Sequence, residues 1–333
     1  MTSPDFAHLD GRQATGLLEV RHDLKGLDRG GFWVVMVTFE GAVTCARFAD
    51  VRPAPLPAAP WAGVDATRWS TSLDRRAYIG GVETVRGLIA DGVVYQVNLC
   101  RVLSAPTDAT DLTGLAGALA AAHPSRYPAL VYLPSVGVQV CSASPELFLS
   151  RIDDVVQMRP IKGTGRTVAD ISPKDYAENV MIVDMARNDF GRIARTGSVD
   201  VQTLCEVEQY PGLVHLVSRV QATLVRGVSW ADIFAATFPP ASVSGAPKSS
   251  ALRIIADLEP VRRGPYCGAI GWVDADRRTA ELAVAIRTFW LDGDQLRFGT
   301  GAGITWGSGP QAEWAETELK AVLLLGAASG MSG

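Results

Sequence analysis

Apolar and polar positions along the chain sort into short alternating or continuous apolar runs, separated by a few stretches with helical spacing. Phe32 to Phe39 and Ala42 to Phe48 read as strands, and the Pro-rich stretch Arg52 to Pro60 as a surface loop. Asp74 to Ala90 has helical spacing. Val93 to Leu103 reads as a strand in which Tyr95, Val97 and Leu99 alternate against Gln96 and Asn98. Leu112 to Ala122 is an Ala/Leu helix. Ala129 to Pro134 and Gly137 to Ser142 follow as strands joined through Ser135-Val136, then Leu147 to Ile152 and Val155 to Arg159. Ser172-Pro173-Lys174-Asp175 is a capping box with proline at the first helical position, opening a helix that runs to about Arg187. Strands around Val199 to Val207 and His215 to Leu224 come next, then short helices at Ser229 to Phe238 and Pro247 to Leu258. Strands at Ala269 to Val273, Thr279 to Trp290 and Gln295 to Thr300 precede a last helix from about Gln311 to Leu325, announced by Ser308-Gly309-Pro310. In that helix Ala312, Ala315, Leu319, Val322 and Leu323 form the apolar arc expected to face the core, with Glu316 beside it. Strands come in runs with helices between, which predicts an α+β fold with largely antiparallel sheet.

Composition narrows the class. With 333 residues, 47% hydrophobic and 20% charged, the chain can bury a large core, which excludes a disordered protein or a disulfide-stapled miniprotein. Lys+Arg 31 against Asp+Glu 35 leaves −4, the wrong balance for a nucleic-acid partner. No apolar stretch is long enough to span a membrane, and the first ten residues lack the basic start of a signal peptide, so a cytoplasmic protein is expected. Five scattered cysteines with no C-x-x-C pair fit a reducing compartment and suggest neither zinc nor a redox motif.

Four constellations could carry chemistry. Asp175 and Glu178 share one helix face, as do Glu313 and Glu316 on the last helix, with Lys320 one turn further; oxygen ligands from two helices suit Mg²⁺, and a solvated charged face is the alternative. Gly299-Thr300-Gly301-Ala302-Gly303 follows a strand as a Gly-rich loop whose N–H groups could approach an anion, or a plain turn. Lys162, in Arg159-Pro160-Ile161-Lys162-Gly163-Thr164, is a nucleophile if desolvated and otherwise a surface lysine. Glu146, in Ser144-Pro145-Glu146, suits general-acid work if buried.

Read together, these segments resemble the chorismate-utilising enzymes. The resemblance runs from about Tyr95 to Leu325 through ordered motifs: Tyr95 to Leu99, Ser144 to Phe148, Arg159 to Thr164, Glu178 to Asp184 and Arg187-Asn188-Asp189. Val214 to Ser218, Ser244 to Lys248, Ala285 to Thr288 and Glu313 to Thr317 follow. It implies one unit of two large, packed, mostly antiparallel sheets with helices outside and the site in a cleft. Residues 1–75 would be a shortened β-rich N-terminal part of that unit and 76–330 the chorismate-binding catalytic domain.

Two positions sort the chemistry within the family. Members that add water carry a lysine where this chain has Gln96, which points to ammonia as the incoming group. Anthranilate synthases read Pro-Ile-Ala-Gly-Thr where this chain has Lys162, and the lysine marks the aminodeoxychorismate synthase branch. By this resemblance Lys162 attacks C2 of chorismate, Glu146 protonates the departing C4 hydroxyl, and ammonia adds at C4 and expels the lysine, so Lys162 must be uncharged when it attacks. Matching positions imply that Glu178 and Glu316 hold Mg²⁺ with support from Asp175 and Glu313. Tyr266, Arg287 and the N–H groups around Gly301 and Gly303 hold the enolpyruvyl carboxylate, Thr164 and Lys320 complete the polar lining, and His215 stands near the substrate. A separate glutamine amidotransferase subunit would supply ammonia, and a pyridoxal-phosphate lyase would turn the product into p-aminobenzoate for folate. Phe238-Pro239-Pro240-Ala241-Ser242 departs from the family's usual Phe-Pro-Gly-Gly-Ser. An anthranilate synthase or other chorismate aminase, and a non-catalytic chorismate-binding module, are the alternatives.

Overall fold

The structure, a computed structural model, describes residues 4–165, 167–210 and 213–330, without the side chains of Thr164, Tyr210 and Leu213. Three of the six described α-helices begin where the N-cap side chain accepts from one of their free N–H groups. Helix α1 (Arg75–Ala90) starts at Asp74, whose side chain accepts from Ala77 N at 2.8 Å. Helix α2 spans Thr113–Ala122. Helix α3 (Pro173–Gly191) carries the capping box expected from its sequence: Asp175 Oδ2 accepts from Ser172 N at 2.8 Å. Helices α4 (Trp230–Thr237), α5 (Lys248–Leu258) and α6 (Pro310–Ala328) follow, α6 with proline in its first turn.

Every strand pairing among the described residues is antiparallel. The α+β class with antiparallel sheet is as expected. By hydrogen bonding, however, the strands form one continuous ribbon where the family resemblance suggested two sheets. From Asp200–Tyr210 and Leu213–Thr223 it passes through Val155–Arg159, Leu147–Ile152, Thr279–Val284 and Ala269–Asp274. The N-terminal strands Phe32–Val37, Val43–Pro53, Arg12–Arg21 and Phe6–Leu9 continue it without a break. Tyr127–Leu133, Val138–Ser144, Thr288–Asp292, Gln295–Ile304 and Gln96–Pro106 complete it.

The ends of the ribbon meet at α3. Its Asn179 Nδ2 donates to Leu216 O at 3.1 Å at one end, and Glu178 faces Gly303 at the other. The cleft described below lies between them.

Four sequence expectations change. The strand expected over Thr279 to Trp290 is two, Thr279–Val284 and Thr288–Asp292, which pair in different parts of the ribbon. Gly299 to Gly303 is not a loop but the middle of the strand Gln295–Ile304. The strand Gln96–Pro106 does not alternate: Gln96, Val97, Asn98, Leu99 and Cys100 are all buried, because α1 packs on Leu99, α5 contacts the strand, and Tyr266 and the glycine-bearing strand cover Cys100, and Tyr95 just before it is exposed. The apolar arc of α6 is reversed. Ala312, Ala315, Leu319, Val322 and Leu323 are exposed, and Glu313, Thr317, Ala321, Leu324 and Ala328 face inward. The inward face is set by polar ties and small residues: Thr300 Oγ1 donates to Thr317 O at 3.0 Å, and Arg101 Nε to Thr317 Oγ1 at 3.1 Å.

A buried ion pair fixes the back of the glycine-bearing strand pair. Arg263, 1% exposed, donates to Glu259 Oε2 at 2.8 Å, Val243 O at 2.8 Å and Asn98 O at 2.7 Å, while Glu259 Oε1 accepts from Cys100 N at 2.9 Å. Replacing Arg263 by methionine leaves the Glu259 carboxylate buried without its cation. Denaturant unfolding of that variant should show a loss of about 3–5 kcal/mol; a loss under about 1 kcal/mol would mean that the pair contributes nothing beyond its volume.

Candidate active site

Lys162 and Glu146 converge on Ser242. Lys162 lies on the short strand Ile161–Gly165, and its Nζ donates to Ser242 O at 3.2 Å and stands 3.6 Å from Glu178 Oε2. Glu146 follows the strand Val138–Ser144, with Phe148, Met158, Ile182 and Ala241 enclosing the void beside it. Burial pushes its carboxyl up to about 7 against the pull of a Ser242 hydrogen bond, the Lys162 charge and the Ile161 N–H. Near neutral pH this group exists in both forms, as a general acid requires. The turn containing Pro239, Pro240 and Ala241 therefore still delivers Ser242 to both groups, despite its departure from the family pattern.

The acids and lysines of α3 and α6 interleave. Lys174 Nζ lies 2.7 Å from Glu313 Oε1 and 3.6 Å from Glu178 Oε1. Glu316 Oε1 pairs with Lys320 Nζ at 2.7 Å, and Lys320 also donates to Gly301 O at 3.0 Å. Burial raises the Glu316 carboxyl, but Lys320, with Lys174 and Lys162 beyond it, outweighs burial and holds the group below its ordinary value. Asp175 uses Oδ2 on the α3 cap, accepting also from Ser172 Oγ at 2.6 Å. Among the described residues no group of three or more His, Cys, Asp or Glu side chains is gathered around one point as metal ligands.

The glycine strand forms one wall. Gly299, Gly301 and Gly303 project the same way, as do Asn98 and Cys100 on the neighbouring strand. A Cβ at Gly299 would collide with the Tyr266 ring, one at Gly301 with Cys100 Sγ and one at Gly303 with Gln96 Nε2, with Glu178 Oε2 at 3.4 Å. Glycine thus leaves room for the Tyr266 ring, Cys100 Sγ and the Gln96 carboxamide, which any side chain would displace. Cys100 N donates to Glu259 and Asn98 N to Ser244 O, so the residues opposite Gly301 and Gly303 pair in the non-hydrogen-bonded sense. The glycine N–H groups accordingly point to the other edge, beyond the last pairing with Thr288–Asp292 at Phe298. Gln96 is fully buried, and neither its Oε1 nor its Nε2 has a partner among the described residues.

A third grouping holds Arg287, His123 and His215. Arg287 adopts φ +54°, a left-handed conformation that costs an arginine on the order of 1 kcal/mol or more, and its Nη1 contacts His123 Nε2. Burial, followed by the Arg287 charge, pushes His123 down to about 4; burial, then Arg287 and Arg159, does the same to His215. Both imidazoles are neutral at pH 7. Thr164 stands opposite His215 in the strand register, and its side chain lies outside the described residues. Sequence reasoning missed Lys174, Ser242 as the shared partner, and His123. Lys174 stood beside a singled-out acid, and only the approach of α6 revealed its use.

Residues 40–326 match the family described as chorismate binding enzyme. Anthranilate synthase component 1 1 of Haloarcula marismortui is 36% identical over 275 residues, 79% of this chain and 55% of that protein. Aminodeoxychorismate synthase component 1 of Bacillus subtilis is 36% identical over 252 residues, 72% of this chain and 53% of that protein. The chain thus spans little more than half the length of these relatives. Anthranilate synthase component I from Streptococcus pneumoniae superposes with a TM-score of 0.79 at 25% identity, covering 98% of this chain and 93% of that one.

Proposed function

The chain belongs to the chorismate-binding enzyme family, and from that premise we propose that it converts chorismate and ammonia to 4-amino-4-deoxychorismate, as an aminodeoxychorismate synthase component I. The observation that carries this reading is the meeting of Lys162 and Glu146 at Ser242. Lys162, after giving a proton to solvent, attacks C2 as the free amine; both ring double bonds shift, C1=C2 to C1=C6 and C5=C6 to C4=C5, as the C4–O bond breaks, and Glu146 gives its proton to the oxygen, which leaves as water. Ammonia then forms the C4–N bond, both double bonds shift back to C5=C6 and C1=C2, and the C2–N bond to Lys162 breaks, with excess protons returned to Glu146 and solvent. Two displacements replace one poor one, and occupation of C2 by the lysine directs ammonia to C4. The orphaned carboxamide of Gln96, beside Glu178, supports ammonia as the incoming group: its Oε1 accepts an N–H. The glycine N–H edge and Arg287 would receive the enolpyruvyl carboxylate.

Mg²⁺ fits the acids of α3 and α6. The donors are all oxygen, Glu313 Oε2 is buried with no partner among the described residues, and Glu178 and Glu313 already bracket one cation, the Lys174 ammonium. Glu178 and Glu316, with Glu313 and Asp175 in support, would hold it, and when bound it neutralises the ring carboxylate. A glutamine amidotransferase subunit is the proposed ammonia source; the two relatives above are both named as component 1.

Mass spectrometry of products from chorismate, Mg²⁺ and an ammonium salt at alkaline pH tests the reading. Aminodeoxychorismate is the expected product. Fluorescent anthranilate in its place would establish the second reading, amination at C2, which the names of several relatives favour. Binding of chorismate with no turnover, even with a glutaminase partner added, would leave only a binding module.

A further inference from the structure

The acids that would receive the metal are neutralised by the chain itself. Glu313 and Glu178 share Lys174, Glu178 also faces Lys162, and Glu316 holds Lys320. These three carboxylates meet three ammonium groups, so among the four acids a divalent cation entering alone finds only Asp175, committed to the α3 cap, without a lysine against it. Lys174 differs from the other two lysines, because it stands between carboxylates of both helices.

By local rules Lys174 is badly placed. It sits in the first turn of α3, at the positive end of the helix dipole. With Glu178 at i+4 it makes the less favourable order of an ion pair on a helix. What offsets this is Glu313, arriving from α6 at 2.7 Å, with Ser308 Oγ at 3.4 Å. The Lys174 side chain is 36% exposed, so it has a way out into solvent.

We propose that Lys174 is a resident counter-ion that competes with the divalent cation for Glu178 and Glu313, so that the metal binds tightly only together with a dicarboxylate substrate. Chorismate carries two carboxylates, and with Mg²⁺ it forms a neutral pair. Entry of that pair as Lys174 swings outward lowers the charge of the cluster by one, whereas the cation alone raises it by two with Lys174 in place and by one when it leaves. The coupling is reciprocal: substrate tightens metal, and metal tightens substrate by the same factor.

The inference rests on the metal reading above, and the test separates the two. Mn²⁺ binding to the full chain is titrated by electron paramagnetic resonance, and Mg²⁺ by calorimetry, with and without chorismate and with no ammonia source. The parent should bind metal weakly alone and more tightly with chorismate. Lys174→Met should bind Mn²⁺ on the order of tenfold more tightly in the absence of chorismate, within the usual range of coupled sites, and show less tightening on its addition. Lys174→Arg should behave as the parent. Lys174→Gln serves if the methionine variant does not melt cooperatively. A folded Lys174→Met or Lys174→Gln protein that binds Mn²⁺ no better than the parent overturns the counter-ion while leaving the metal site intact. Mn²⁺ binding unaffected by Glu178→Gln and Glu316→Gln, or no binding under any condition, overturns the metal reading and the counter-ion with it.

Discussion

Lys162→Ala is expected to abolish formation of aminodeoxychorismate, by roughly 10⁴-fold or more, the scale seen when a covalent nucleophile is deleted. The side chain is mostly enclosed, with Nζ held on Ser242 O at 3.2 Å. No described lysine other than Lys162 is paired with Ser242 next to Glu146, so no other amine substitutes. Two readouts separate nucleophile from scaffold. The parent, given chorismate and Mg²⁺ without ammonia, should gain the mass of chorismate less one water on the peptide containing Lys162. The alanine variant should gain nothing and still bind chorismate. A variant that keeps its rate, or turns chorismate into anthranilate at the parental rate, would remove the lysine from the mechanism.

Glu146→Gln should cost on the order of 10²–10⁴-fold in rate, the usual contribution of a positioned general acid. Its carboxyl titrates at about 7, so the parent should lose this contribution as pH rises through 7, and the variant should lack that limb of the profile. Stability should move the other way in the variant. The ordinary value is 4.5, so between about 4.5 and 7 the folded state holds a proton that the unfolded chain has lost. Parental stability therefore falls across that window, by at most about 3 kcal/mol, and the deficit persists above it. Glutamine carries no charge to bury and can still accept from Ser242. Thermal melts should show the variant more stable than the parent at pH 8 and equal to it near pH 4. Equal melting at both pH values would mean that the carboxylate is solvated and that burial does not set its acidity.

Much of this fold was legible in local sequence. The capping box at Ser172 and Asp175 and the aspartate that starts α1 satisfy helix termini with atoms a few residues away, and the proline that opens α6 removes an N–H that would need a partner, so those boundaries could be read directly. Apolar runs such as Leu147–Ile152 and Val155–Arg159 became strands with the bounds expected. The order of motifs from Tyr95 to Leu325 was enough to indicate the family. Gly299 to Gly303 was misjudged because its glycines serve neighbours distant in sequence: Tyr266, Cys100, Gln96 and Glu178 need the space that Cβ atoms would fill.

By itself the sequence determined where elements begin, which residue types could do chemistry and which family they resemble, because capping, periodicity and motif spacing act over a few residues. Tertiary structure alone decided that α6 turns Glu313 and Thr317 inward and leaves Leu319, Val322 and Leu323 in solvent. It alone decided that one ribbon runs through all the strands, and that Lys174 answers acids on two helices. Those outcomes depend on which surfaces meet. A helix buries the face whose hydrogen bonds and small residues fit its neighbour, and a charge takes its partner from whichever element arrives within a few ångströms, however far away in the chain.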